Sequence, residues 1–197
     1  MTLHWLKNKL PNTFKRSLSR SLQNAWQSPL YRLPRNSVLK GDLRQIVFIC
    51  QGNVCRSAFA ENWLRSRLPE NTLKIESCGL SVGRSTPPPA QALKVSEDLG
   101  IDLSSHLSKG YESCDLENAD LIIAMVYNHL NRVNSIHPKY RDKALLLRNF
   151  APFPDNLVCN IHDPYGLDHS EFQRCFHLIQ ISLAGLIKHF GLPTKHD

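Results

Sequence analysis

Four short apolar runs alternate with helix-like segments, and this alternation limits the possible folds more than any other feature of the chain. The runs are IVFIC (46–50), LKIESC (73–78), DLIIAMV (120–126) and ALLL (144–147). Segments with helical character lie at 57–67, 91–99, 128–136 and 170–190. Strands separated by helices predict an α/β fold: a four-stranded parallel sheet with helices on both faces. Such sheets bind ligands beyond the carboxyl ends of strands, where the strand order reverses.

Charge divides the chain near residue 44. Residues 1–44 carry nine Lys or Arg and one acid, whereas residues 45–197 carry 15 basic and 16 acidic residues. The formal net charge of +7 therefore belongs to an N-terminal extension, and the remainder is near neutral. We predict a basic extension over 1–44 and one domain over 45–197, since this length suffices for one packed domain with a modest extra segment.

Composition excludes several classes of protein. An apolar content of 42% with mixed charges is typical of a globular chain rather than a disordered one. No apolar run approaches the roughly 20 residues of a membrane span, and the N-terminus lacks the apolar core of a secretory signal. The six cysteines are spread through apolar runs, which favours reduced thiols over a disulfide framework. We therefore expect a cytoplasmic protein.

The stretch CQGNVCRS, residues 50–57, joins the first strand to the first helix and is called the phosphate loop below. Backbone N–H groups in a tight turn and at a helix start attract anions. Gly52 allows a backbone angle that other residues resist, and Asn53 tolerates the left-handed region. Arg56 offers a planar fork for two phosphate oxygens. The loop is thus predicted to enclose one tetrahedral dianion.

Cys50 stands at the end of the strand, beneath the predicted anion site. The same N–H groups and Arg56 favour its thiolate, and Ser57 is able to donate a hydrogen bond to it. We predict a nucleophile below a bound phosphorus. A buried structural cysteine is the alternative, but it leaves the Gly-Asn and Arg-Ser pairs unexplained. Zinc binding by Cys50 and Cys55 lacks a second close pair of Cys or His. We expect neither a metal nor a cofactor.

An acid is needed to protonate the group that a thiolate expels from a phosphate ester. The candidate is Asp163 in NIHDPYGLD, because Pro164 stiffens the loop and holds the preceding residue extended. Tyr165 beside it offers an aromatic wall for a flat substrate ring. An ordinary Asp-Pro turn is the alternative, and Asp155 is a competing acid.

Together, these motifs resemble the low-molecular-weight protein tyrosine phosphatases, of the bacterial type linked to capsule or exopolysaccharide. The resemblance rests on Cys-x5-Arg-Ser after an N-terminal strand, with Asp-Pro-Tyr far downstream. It spans about residues 45–190. Further segments that match the family are SAFAE (57–61), IESCGL (75–80), LGIDLSSH (99–106) and ADLIIAM (119–125).

The resemblance implies the family's fold and its activity, a phosphoric monoester hydrolase that cleaves phosphotyrosine through a phosphocysteine intermediate. Cys50 would be the nucleophile and Arg56 the phosphate binder. Asp163 would be the general acid, and later the base that activates water.

The resemblance also assigns a second set of residues. Those expected to contact phosphate or substrate are Gln51, Gly52, Asn53, Val54, Cys55, Ser57 and Tyr165. Ser77 and His106 would support the loop from behind. Cys55 would form a reversible disulfide with Cys50, and a buried spectator thiol is the alternative.

The chain departs from the family pattern in three places. Val126 stands where the family usually has Asp, so any role of that Asp is absent. The loop after Gly79 offers Leu80 and Val82 instead of an aromatic residue, which predicts an aliphatic second wall. DPYG contains one tyrosine where some members have two.

Two other functions fit the same fold. An arsenate reductase needs two further cysteines closely spaced after the third strand, whereas Cys114 precedes that strand. A phosphotyrosine-binding module without turnover is the other alternative, although all three catalytic groups are present.

The extension has apolar residues at every fourth position from Leu6 to Trp26, with basic residues between them. This spacing predicts an amphipathic helix over Thr13–Gln27, capped by Asn12. A disordered tail, a membrane-surface or partner-binding helix and a transit peptide all remain open.

We expect the partner to be a protein that carries phosphotyrosine. Our hypothesis is that this partner is a membrane tyrosine kinase of polysaccharide export, and that the protein acts at the inner membrane face. No nucleic acid is expected, because no recognised binding module accompanies the charge.

Overall fold

The computed structural model describes residues 43–195, in which strands and α-helices alternate. The elements are β1 (Gln45–Cys50), α1 (Arg56–Arg67), β2 (Lys74–Gly79), α2 (Ala90–Asp98), β3 (Leu121–Ala124), α3 (Tyr127–Ile136), β4 (Ala144–Leu146) and α4 (His169–Phe190). Short 3-10 turns occupy Tyr111–Ser113, Pro138–Lys143, Leu147–Phe150 and Asp155–Leu157. The helix predicted over 13–27 lies outside the described residues. Between residues 43 and 195, no helix has both the length and the hydropathy needed to cross a membrane.

The four strands form one parallel sheet in the order β2-β1-β3-β4. This confirms the predicted fold class. The chain passes from β1 to β2 on one side and later to β3 on the other, so the strand order reverses at the carboxyl end of β1. Cys50 is the last residue of β1 and lies opposite Gly79 of β2 in the register.

Side chains of β1 alternate between two apolar clusters on opposite faces of the sheet. Ile46, Phe48 and Cys50 belong to the cluster that α1 and α4 cover. Val47 and Ile49 belong to the other cluster. The period of two therefore directs the Cys50 thiol toward the face on which α1 begins.

Aromatic packing holds α1 and α4 together on that face. The rings of Phe59 and Phe176 are stacked with centroids 4.0 Å apart and planes 6° apart. Asp168 caps α4 by accepting a hydrogen bond from the Glu171 N–H at 3.1 Å. The helix ends at Gly191, whose φ of 58° is left-handed. This packing sets the position at which α1 starts relative to the end of β1.

Replacing Gly185 with alanine is expected to lower the free energy of unfolding by about 2–3 kcal/mol. Gly185 lies in α4, and an added Cβ would overlap the carbonyl oxygen of Phe150 in the neighbouring turn. Replacing glycine with alanine at an exposed helix position usually raises the free energy of unfolding by about 1 kcal/mol. At position 185 the steric overlap is expected to make the same replacement destabilising. Urea unfolding measures the effect. Gly83→Ala is the control, because its Cβ would meet nothing within 4 Å. A Gly185→Ala variant as stable as the original chain would contradict this packing.

Candidate active site

The predicted phosphate loop curls around the sulfur of Cys50. The thiol is 2% exposed. The Asn53 N–H donates a hydrogen bond to Cys50 Sγ at 3.2 Å, and Ser57 Oγ lies 3.0 Å from the same sulfur. A main-chain donor and a hydroxyl therefore both stabilise negative charge on this atom.

Asn53 is the loop residue with a left-handed backbone conformation. Its φ is 54°, while Gly52 is not left-handed, which corrects the expectation that Gly52 supplies the unusual angle. The Asn53 side chain is fully buried and makes three hydrogen bonds. Its amide donates to Ser57 Oγ at 3.0 Å and to Ser77 Oγ at 2.7 Å, and its oxygen accepts from the Lys109 N–H at 3.0 Å. Hydrogen bonding thus offsets the cost of a left-handed non-glycine residue.

A ring of polar groups supports Asn53 from behind the loop. His106 Nε2 lies 2.8 Å from the Asn53 carbonyl oxygen. Ser77 Oγ, which accepts from Asn53, donates to Glu61 of α1 at 2.5 Å. The structure thus places Ser77 and His106 against Asn53, and it adds Glu61 and the Lys109 N–H to this support. A supporting glutamate four residues after Ser57 has no distinctive sequence signal.

Arg56 opens α1 and is 3% exposed. Its Nη1 donates to the Ile161 carbonyl at 3.1 Å, and its Nη2 contacts Asp163 Oδ2 at 2.5 Å. The residue at the helix start, Cys55, makes no side-chain capping hydrogen bond, and the first turn contains no acid. The start of α1 therefore combines a guanidinium with uncapped N–H groups, an arrangement that favours anions.

The loop that carries Asp163 is pinned to the end of β3. The Ile161 N–H donates to the Met125 carbonyl at 2.8 Å, and the Tyr127 N–H donates to Asn160 Oδ1 at 2.8 Å. Within the loop, the Tyr165 N–H donates to Asp163 Oδ1 at 3.2 Å. The side chain of Asp163 is 44% exposed and faces the same opening as Cys50. Asp155 lies elsewhere, ion-paired with buried Arg148.

A cleft of about 710 Å³ leads from the surface to Cys50. One wall is formed by Tyr165, which is 64% exposed. The other contains Val82 and Arg84. Leu80, expected in that wall, is instead buried in the apolar cluster below the sheet. The reason is the pairing of its N–H with the Cys50 carbonyl at 2.9 Å, which extends the strand by one residue and turns the side chain inward.

The remaining predicted loop residues line the same cleft. Gln51 is exposed, and its carbonyl accepts from the Ser81 N–H at 2.9 Å. Gly52 and Val54 are half-buried. Gly79 allows the close approach of this wall, because an added Cβ would lie 2.9 Å from the Gln51 oxygen.

Cys55 also borders the cleft but is 2% exposed. Burial, and next the charge of Asp163, raise the pKa of its thiol well above the usual range. Between the two loop cysteines, any disulfide chemistry would therefore begin at Cys50 rather than at Cys55. Within residues 43–195, no three His, Cys, Asp or Glu side chains are grouped to hold a metal ion.

His129 is a buried neighbour of the site that the sequence did not single out. It lines a smaller cavity of about 300 Å³ that shares Arg56 and Asp163 with the main cleft. Burial, together with the charges of Arg56 and Arg132, lowers its pKa to about 3. The imidazole is therefore neutral at physiological pH and adds no positive charge beside Arg56.

Comparison with known proteins agrees with this geometry. Residues 45–193 match the family described as low molecular weight phosphotyrosine protein phosphatase. The chain belongs to this family. A relative in Acinetobacter johnsonii, the low molecular weight protein-tyrosine-phosphatase Ptp, is 34% identical over 148 residues, which cover 74% of this chain and 97% of that protein.

Solved structures of similar proteins include Wzb from Escherichia coli K30 in complex with sulphate. It is 30% identical, covers 75% of this chain and 99% of its own, and superposes with a TM-score of 0.65. The arginine phosphatase YwlE from Geobacillus stearothermophilus has a TM-score of 0.67, covering 75% of this chain and 93% of its own. At 23% identity, that likeness shows the fold alone.

Replacing Asn53 with alanine is expected to lower the free energy of unfolding by about 2–4 kcal/mol, because buried partners lose three hydrogen bonds and alanine resists the left-handed angle. Asn53→Gly should recover only about 1 kcal/mol, since it relieves the angle but restores none of the hydrogen bonds. Urea unfolding of both variants separates the two effects. An Asn53→Gly variant as stable as the original chain would show that the side chain does not hold the loop.

Proposed function

We propose that this protein hydrolyses phosphotyrosine in proteins through a phosphocysteine intermediate, with Cys50, Arg56 and Asp163 as catalytic residues. One observation carries the proposal: the Cys50 sulfur, held by Asn53 and Ser57, lies at the base of the cleft that Arg56 and Asp163 border. Membership in the family and the tyrosine phosphatases among the similar proteins support it.

In the first step, the Cys50 thiolate attacks phosphorus and forms an S–P bond while the bond from phosphorus to the tyrosine oxygen breaks. Asp163 gives its proton to the departing phenolate. Arg56 and the N–H groups of the phosphate loop bind the equatorial oxygens, on which negative charge is spread. In the structure, Asp163 Oδ2 lies 2.5 Å from Arg56 Nη2. A bound phosphate dianion would therefore compete with the Asp163 carboxylate for Arg56.

In the second step, water attacks the phosphorus of phosphocysteine. Asp163 takes a proton from that water, the S–P bond breaks and inorganic phosphate leaves. Ser57 stabilises the departing thiolate, because its hydroxyl lies 3.0 Å from the sulfur. Asp163 thus returns to its protonated form for the next turnover.

The cleft supports tyrosine as the leaving group. Cys50 is nearly inaccessible, so a phosphate must be carried in on a long, flat side chain. Tyr165 offers one face for such a ring, and Val82 lies on the opposite side. Arg84 at the same wall disfavours phosphoarginine, whose own guanidinium is cationic.

Cys50→Ser should abolish hydrolysis of phosphotyrosine peptides. Asp163→Asn should lower kcat about 10²- to 10⁴-fold on phenolic esters, because the phenolate then leaves without a proton. Release of inorganic phosphate from phosphotyrosine, phosphoserine and phosphoarginine peptides measures activity and preference. Full activity of Asp163→Asn would disprove the acid assignment, and turnover by Cys50→Ser would disprove the nucleophile.

Two other functions give different results in the same experiment. A phosphotyrosine-binding module would bind the peptides but release no phosphate from them. An arsenate reductase of this fold would reduce arsenate with thioredoxin as the electron donor. Neither result is expected.

We also propose that the basic extension, residues 1–44, keeps the enzyme near a membrane-bound tyrosine kinase at the inner membrane face. The support is its charge, nine Lys or Arg against one acid, together with apolar residues at every fourth position. The kinase would supply the phosphotyrosine.

Deletion of residues 1–40 should leave hydrolysis of p-nitrophenyl phosphate unchanged and abolish sedimentation with anionic vesicles, because the lost segment carries the basic charge. Vesicles of neutral lipid are the control for charge-driven binding. Equal sedimentation of the full chain and the deletion variant would overturn the membrane proposal and leave the phosphatase proposal intact.

A further inference from the structure

A second pair of thiols lies behind the phosphate loop, apart from Cys50 and Cys55. Cys78 is in β2, one residue before Gly79, and Cys114 follows the turn Tyr111–Ser113. The two side chains are close enough for their thiols to interact. In its protonated form, the Cys114 thiol donates a hydrogen bond to the carbonyl oxygen of Ser77, the residue before Cys78, at 3.5 Å. Cys114 also packs against the apolar cluster in which Cys78 is buried.

The two thiols differ in exposure and in charge preference. Cys78 is fully buried, whereas Cys114 is partly exposed. Interaction with the Cys78 thiol lowers the pKa of Cys114; burial opposes this shift, and the Lys109 ammonium adds to it. The same interaction, with burial, raises the pKa of Cys78. A partly exposed thiol that favours its thiolate, beside a buried protonated one, is the arrangement found in peroxide-sensitive pairs.

We propose that Cys78 and Cys114 are a second redox-active pair, oxidised to a disulfide by a peroxide. The Cys114 thiolate attacks one oxygen of hydrogen peroxide, the O–O bond breaks, and a sulfenic acid and hydroxide form. The Cys78 sulfur then attacks the Cys114 sulfur, its proton leaves with the sulfenic oxygen as water, and the S–S bond forms. Two electrons pass from the two thiols to the peroxide, and a dithiol reductant reverses the change.

The position of this pair connects it to the phosphate loop. The Gly79 N–H donates to the Lys109 carbonyl at 2.9 Å, which joins β2 to the segment 109–114. Asn53 bonds to both sides of that junction, to Ser77 and to the Lys109 N–H. A disulfide between Cys78 and Cys114 would therefore tie together the two segments that hold Asn53. The inference does not depend on the proposed phosphatase activity.

Peptide mapping of the oxidised full-length chain tests the proposal directly. The reduced protein is treated with hydrogen peroxide, its remaining thiols are blocked with N-ethylmaleimide, and it is digested with trypsin without reduction. Cys78 and Cys114 fall in separate peptides, 75–84 and 110–132, each with no other cysteine. A disulfide between Cys50 and Cys55 would stay within the peptide 45–56. We expect a cross-link between peptides 75–84 and 110–132 that dithiothreitol removes.

Two variants test the assigned roles, and a third is the control. In Cys78→Ala the sulfenic acid of Cys114 has no partner, so dimedone should label Cys114. In Cys114→Ser, Cys78 should remain a free thiol. Cys159→Ala removes another buried thiol of the same cluster and should retain the cross-link. Absence of the cross-link in the original chain, at a peroxide concentration that oxidises Cys50, would overturn the proposal, as would unlabelled Cys114 in a folded Cys78→Ala variant.

Discussion

The hydrogen bonds of the buried Asn53 side chain hold the phosphate loop closed around the sulfur of Cys50. Without them, a left-handed asparagine would cost about 1–2 kcal/mol and the loop would lose its shape. The same residue presents its N–H to the Cys50 sulfur at 3.2 Å. Asn53 therefore fixes the loop conformation through its side chain and stabilises negative charge on the sulfur through its main-chain N–H.

The parallel sheet brings together the groups that surround the phosphate loop. β1 ends at Cys50 between β2 and β3, so Ser77 approaches from one side and the Asp163 loop from the other. The segment at Lys109 adds to the outer edge of β2 and completes the support. The Cys78–Cys114 pair lies in this outer layer. Cys50 and the second thiol pair therefore share one structural support while occupying opposite faces of the sheet.

Local patterns predicted the fold, because each strand and helix is encoded by its own spacing of apolar residues. The candidate roles of Cys50 and Arg56 were also predictable, because both residues lie in one short sequence motif. Contacts between distant segments were not predictable. Whether Gly52 or Asn53 takes the left-handed angle depends on Ser77 and Lys109, which lie far along the chain. Leu80 turned inward because of one hydrogen bond to the end of β1. Likewise, nothing local to Cys78 or Cys114 indicates that the two thiols meet.

The most direct test of the central claim is the alkylation of Cys50 by iodoacetamide at neutral pH, with and without inorganic phosphate. If the loop holds the sulfur as a thiolate beneath an anion site, Cys50 should react about tenfold faster than free cysteine, and phosphate should protect it. Fragment masses of the peptide 45–56 distinguish Cys50 from Cys55. Alkylation no faster than that of free cysteine, with no effect of phosphate, would contradict the account.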